Sequence, residues 1–270
     1  MLRTLLVLLA SIVLALIILE LFFPALSARF FMGLERRRSG LSAREKTIGG
    51  TRIAWLEGGQ GETLVLVHGF GADKDNYTRV ARYLTPHFRV VIPDLPGFGD
   101  SERLPDASYT FEDQTRRLHD ILHGMGITRC HMAGSSMGGA ITLLYGAFYP
   151  EKLQSRWLLG PAGVDGCEDS EMAARYRATG ESLLLPRSVA DFTRVMNLAV
   201  EIKPTLTPSI RKALGQRAMR DLPLHSRIFE EIAHSEPVNE RMKTSDVPTL
   251  IVWGERDRVL DVSGGPILHE

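Results

Sequence analysis

Two cysteines, Cys130 and Cys167, are all that the 270 residues contain. So few exclude a disulfide framework, and Cys130, set in an apolar run, reads as a small buried hydrophobe. Net charge is absent too: 32 basic residues balance 32 acidic ones, which gives no reason to expect a nucleic-acid partner. The chain has no internal repeat and no low-complexity run, so repeat arrays and disordered tails are set aside. His119 and His123 stand four apart without acidic or cysteine companions. They read as a solvated helix face, and neither a metal nor an organic cofactor is expected.

What is present begins with a long apolar run, LRTLLVLLASIVLALIILELFF, from Leu2 to Phe23. As a helix it would measure about 33 Å, enough to cross a hydrocarbon core of roughly 30 Å. Residues 1–24 are therefore expected to be a single-pass anchor, with Glu20 near enough to one end to reach the interface. Arg3 is the one basic residue at its N-terminal end, whereas Arg29, Arg36, Arg37 and Arg38 follow it, which predicts a main domain on the cytoplasmic side. The same arginines suit anionic headgroups, so the bilayer is an expected partner. The competing reading is a signal peptide cleaved near ALSA (Ala25 to Ala28), leaving a secreted or periplasmic domain.

Beyond a basic linker at 25–48, short apolar runs alternate with amphipathic stretches. RIAWLE, TLVLVHG, FRVVIPD, RCHMAG and SRWLLGPAG read as strands; NYTRVARYL, the segment from Phe111 and GGAITLLYGAFY read as helices. This alternation predicts an α/β domain with a mainly parallel sheet covered on both faces. Its first part is placed at 49–163. From 164 to 245 the pattern is helical and punctuated by prolines, which predicts an inserted cap. Strand character returns in PTLIVWGERD, so 246–270 reads as a second part of the core.

Four segments carry chemistry. AGSSMGGA fits G-x-S-x-G through Gly134, Ser136 and Gly138, with an apolar strand running in and a helix running out. In that context the serine is a nucleophile on a sharp turn; Ser135 is adjacent, but the glycine spacing selects Ser136. HGFG, from His68 to Gly71, ends a buried strand, and Gly69 and Gly71 permit a turn there. The backbone N–H of Phe70, with that of Met137, could form an oxyanion hole worth about 2.7–4 kcal/mol per donor. DLPGFGDS places Asp94 at another strand end, where capping the turn is the expected role. In WGERDRVLD, Asp257 stands just past a strand end, positioned to orient a histidine, with Glu255 and Asp261 as competing acids.

In order and context these segments resemble the α/β-hydrolase superfamily. With the apolar anchor, GPAG and DRVLDVSG, the chain resembles the membrane-bound monoacylglycerol lipase branch of α/β-hydrolase-domain proteins and related bacterial lipases. The resemblance implies an α/β-hydrolase fold and hydrolysis of carboxylic esters, with monoacylglycerols or similar lipids as substrates. It also implies a triad in the order serine, acid, histidine. Only thirteen residues follow Asp257, and His269 falls where the family has a helix. The other seven histidines occupy the oxyanion turn, strands, helices or the cap. The expectation is a C-terminally incomplete chain lacking the last strand, the last helix and the base, with the triad histidine beyond residue 270. A neighbouring strand edge left unpaired would make such a chain aggregation-prone. Two readings compete: an inactive membrane protein binding lipid or a partner, and another serine α/β-hydrolase such as a carbon–carbon bond hydrolase.

Overall fold

A computed structural model describes residues 1–244 and 246–270. Its core is a seven-stranded sheet: β1 (Leu41–Ile48), β2 (Thr51–Gly58), β3 (Thr63–Val67), β4 (Arg89–Pro93), β5 (Cys130–Ser136), β6 (Leu153–Pro161) and β7 (Thr249–Val252). The spatial order is β1-β2-β4-β3-β5-β6-β7. β1 and β2 pair antiparallel, as do β2 and β4, and every pairing from β4 to β7 is parallel. β3 shows why the central strands read as unbroken apolar runs: Val65 and Val67 enter one core cluster, Leu64 and Leu66 the other. Alternate side chains point to opposite faces, and both faces are covered.

The helices that cover them are α3 (Thr78–Leu84), α4 (Phe111–Gly124) and α5 (Met137–Phe148). α4 is capped by Thr110, whose hydroxyl accepts the Asp113 N–H, and it lays Phe111, Leu118, Ile121 and Leu122 on the sheet. α5 is apolar all round, and ten of its twelve residues are buried. It is an interior helix rather than an amphipathic one.

Residues 25–48, read from the sequence as a basic linker, are ordered. α1 (Leu2–Phe22) gives way at Pro24 to α2 (Pro24–Arg38), and β1 follows directly. Proline suits the first turn of α2, and Arg36, Arg37 and Arg38 in its last turn complement the helix dipole. α1 has no buried residue and is long and apolar enough to cross a membrane.

Between β6 and β7 lie α6 (Glu171–Thr179), α7 (Val189–Ala199) and α8 (Pro208–Ala233). The sequence suggested that prolines interrupt this region, yet α8 runs straight through Pro223. The turns beyond Pro223 bury His225, Ile228 and Phe229, and that burial offsets the helix hydrogen bond that proline cannot make. After β7 the chain forms α9 (Gly264–His269).

Candidate active site

The chain places β4 on one side of β3 and β5 on the other, so the strand order reverses between β3 and β5. Loops leaving the carboxyl ends of two such strands diverge and open a crevice, which is where ligands bind in open α/β sheets. The loop after β3 begins with His68, and the turn after β5 holds Ser136.

Ser136 has φ 55° and ψ −120°, and among the described residues it is the one non-glycine with positive φ. Such a conformation costs roughly 1–3 kcal/mol and persists only where the surroundings impose it. Here they do. A Cβ on Gly134 would stand 2.0 Å from the Gly138 carbonyl oxygen, and one on Gly138 would stand 2.1 Å from that of Val67. β5 and α5 therefore cross with backbones in contact, and the chain turns within one residue. Ser136 is half-buried, and its carbonyl accepts the Ala162 N–H at 3.0 Å.

The HGFG turn closes onto this serine. A Cβ on Gly69 would come within 3.2 Å of both the Ser136 Cβ and the Ser135 carbonyl oxygen. Gly71 follows with φ 70°. His68 is wholly buried: its Nδ1 donates to the Gly69 carbonyl at 2.8 Å, and its Nε2 accepts the Leu95 N–H at 3.1 Å. That pair of bonds fixes the neutral tautomer, and burial pushes the imidazole below its usual range. His68 therefore braces the turn and is not the base. Met137 opens α5, so its N–H has no carbonyl one turn back within the helix. The Phe70 ring packs 5.9 Å from Phe98, 5.6 Å from His225 and 5.7 Å from Phe229.

Asp94 caps its turn, with Oδ1 accepting the Lys74 N–H at 2.6 Å and Oδ2 the Asp100 N–H at 2.7 Å. Sequence reasoning missed what surrounds it. Lys74 Nζ lies 2.6 Å from both Asp94 Oδ2 and Asp100 Oδ2, while Arg217 of α8 reaches Asp73 at 2.5 Å and Asp100 at 2.7 Å. Arg36 of α2 pairs with Asp75 through two hydrogen bonds, at 2.7 and 2.5 Å. The loop after β3, α8 and α2 are thus joined by charges. Burial, then Asp94 and Asp75, pushes Asp73 up to about 6.

Asp257 lies in the loop after β7, with Oδ1 committed to the N–H groups of Val259 and Leu260, at 2.9 and 3.0 Å. Its Oδ2 lies 3.4 Å from where a Cβ on Gly160 would be, next to Pro161, the β6 partner of Ser136. Asp261 turns to its own helix end, accepting the Ser263 N–H at 2.9 Å, and Glu255 is exposed. Among the described residues no hydrogen bond joins a histidine to Ser136 or Asp257. His131 bonds Ser155, His225 bonds the Gly97 carbonyl, and His119 stacks on Tyr149 with ring centroids 3.8 Å apart. His269 is exposed on α9.

A cavity of about 340 Å³ opens beside the HGFG turn. Phe70, Gly71 and Ala72 form one wall; Phe192, Val195 and Met196 of α7, Leu214 and Leu222 of α8, and Met32 of α2 form the rest. Ser136 does not line it. The Phe70 ring lines the cavity and follows directly on Gly69, which touches the serine.

A parallel sheet with a serine on a strained strand–helix turn at its switch point, capped by helices over an apolar cavity, defines the serine α/β-hydrolase class. The chain belongs to the alpha/beta hydrolase fold family, whose family model matches residues 62–270. It is 35% identical over 233 residues to Lipase 1 of Psychrobacter immobilis, covering 84% of this chain and 73% of that one. Monoacylglycerol lipase ABHD6 of Mus musculus is 28% identical over 78% of this chain and 66% of its own length. Among solved structures, a bacterial membrane phospholipase A superposes with a TM-score of 0.89 at 38% identity, covering 100% of this chain and 87% of that one.

Proposed function

We propose that the chain is a membrane-anchored serine ester hydrolase acting on lipid esters of the monoacylglycerol type, with Ser136 as nucleophile. The observation that carries the reading is the Ser136 backbone. A serine held at φ 55° between two glycines that admit no side chain is strain without a packing purpose, and strain of that kind belongs at reacting groups.

In the proposed mechanism Ser136 Oγ attacks the ester carbonyl, and the Phe70 and Met137 N–H groups stabilise the tetrahedral oxyanion. A histidine takes the serine proton and delivers it to the departing glycerol oxygen; water then releases the fatty acid by the reverse proton path. Asp257 is the acid that would orient this histidine, because its Oδ2 is left free beside Gly160 while Asp261 is bound to its own turn. The described histidines supply no base at that position. The cavity lined by α7 and α8 would take the acyl chain, and α1 with the arginines after it would hold the domain at the cytoplasmic face of a bilayer.

The test uses the protein expressed from its complete gene. It should hydrolyse p-nitrophenyl butyrate and a monoacylglycerol, and a fluorophosphonate probe should label it. Ser136→Ala should remove the labelling and lower kcat by roughly a thousandfold or more. Labelling that survives Ser136→Ala, or turnover of vinylogous diketones without any ester turnover, would refute the assignment.

A further inference from the structure

The foot of the cap helix lies where α1 would leave the membrane. Glu20 belongs to the last turn of α1, yet its Oε1 accepts the Ser209 N–H of α8 at 2.7 Å. Its other oxygen accepts the Ser27 hydroxyl of α2, and the Ser209 hydroxyl donates to Ser27 Oγ at 3.3 Å. Ser27 and Ser209 are both buried. A carboxylate inside an apolar span needs such donors, and the first turn of a helix supplies them with a favourable dipole. Three helices therefore meet at one point, and the first turn of α8 is fixed at the depth of the last turn of α1.

Around this junction the surface is cationic and apolar. Arg211 and Lys212, within one turn of Ser209, are exposed, as is Arg29 of α2. Among the described residues none of the three has an ion-pair partner, whereas Arg36, Arg79, Arg217 and Arg227 nearby on the same helices and α3 are all paired. Leu26 and Phe30, one turn apart on α2, are 57% and 48% exposed.

We propose that this foot of the cap, Arg211 and Lys212 with Arg29, Leu26 and Phe30, is a second bilayer contact that binds anionic phospholipid headgroups. It rests on reading α1 as a membrane anchor. Its occupant follows from continuity with α1 and from charge: unpaired cations beside exposed apolar side chains, at interfacial depth, match a negatively charged leaflet. From Ser209 to Phe229, α8 is about 30 Å long. The helix that stands on the headgroups at one end therefore packs against Phe70 at the other.

The experiment uses the full chain with Cys167→Ser, in nanodiscs of phosphatidylcholine with or without phosphatidylglycerol. An environment-sensitive fluorophore is placed at Leu14→Cys, Lys212→Cys or Arg116→Cys, the last as a control on α4. Headgroup and acyl-chain nitroxide lipids serve as quenchers. The proposal expects acyl-chain quenching at position 14 and headgroup quenching at 212, with position 116 silent. Quenching at 212 should rise at least twofold with phosphatidylglycerol and lose that gain in Arg29→Gln/Arg211→Gln. Quenching at 14 with none at 212, or a 212 signal indifferent to phosphatidylglycerol, overturns this contact and leaves the anchor standing. Silence at 14 overturns the anchor reading and this inference with it.

Discussion

Replacing Lys74 by methionine tests whether charges hold the loop after β3. The side chain keeps its length and loses its ammonium group. Lys74 is 2% exposed and Asp94 is 0% exposed, with 2.6 Å between Nζ and Oδ2. Without Lys74 the Asp94 carboxylate stays in the interior with two backbone N–H groups, those of Lys74 and Asp100. Breaking a buried pair from one side costs about 3–5 kcal/mol. The second contact, to Asp100, adds little, since a partner side chain 46% exposed is well screened. The expected loss is therefore about 3–4 kcal/mol at pH 8, read from equilibrium urea unfolding in detergent by tryptophan fluorescence. pH supplies the second arm. Burial already holds Asp94 above the usual carboxylate range, and without Lys74 it rises further. A carboxyl group with a folded value above its unfolded one loses stability as pH rises between the two, so the deficit should shrink as pH falls from 8 toward 5. Adding Asp94→Asn should recover part of the loss at pH 8. A deficit below about 1 kcal/mol, or one unchanged between pH 5 and 8, would refute the buried-pair reasoning.

Four further outcomes are expected. Gly138→Ala sets a Cβ 2.1 Å from the Val67 and 2.5 Å from the His68 carbonyl oxygens, neither free to move, and should leave little folded protein by size-exclusion yield. Gly71→Ala, where φ is 70° and the added Cβ meets nothing within 4 Å, should cost only about 1–2 kcal/mol in the same unfolding assay. Ser136→Gly should relieve the backbone and raise stability by about 1 kcal/mol while abolishing fluorophosphonate labelling. For Asp73, pushed up to about 6, the native stability attributable to this group should fall from pH 4 to pH 6 and level off above. Asp73→Asn should remove that slope in urea midpoints measured at pH 4.5, 6 and 8, and a slope that persists in the variant would refute the assignment to this group.

Much of the core could be read from the chain because β3 to β6 are buried on both faces and announce themselves as apolar runs. The Ser136 turn was legible because glycine identity encodes a backbone crossing directly. β1 was not: LSAREKTI is exposed at six of its eight positions and is held by ladder bonds to β2, which leave no hydrophobic period to see. α2 hid behind its arginines, since composition does not show that Ser27 meets α8 or that Ala28 is buried. The charge cluster was hidden for a related reason. Asp73, Lys74, Asp94, Asp100 and Arg217 come from three distant stretches, and a charged residue taken singly is read as solvated. The sequence favoured Asp257 over Glu255 and Asp261 by its place just past a strand, but it did not show that Asp261 accepts the Ser263 N–H.

The order in which strands sit in the sheet bears on the life of the newly made chain. Residues 69, 136 and 257 come together only through the parallel neighbours β3, β5, β6 and β7, none of which can pair as a simple hairpin. Contacts between such distant residues form late, after the loop-closure cost has been met. Until then Ser136 is an ordinary alcohol on a relaxed backbone. On the proposed function, α1 would therefore reach a bilayer well before the serine attached to it was able to attack ester lipids there.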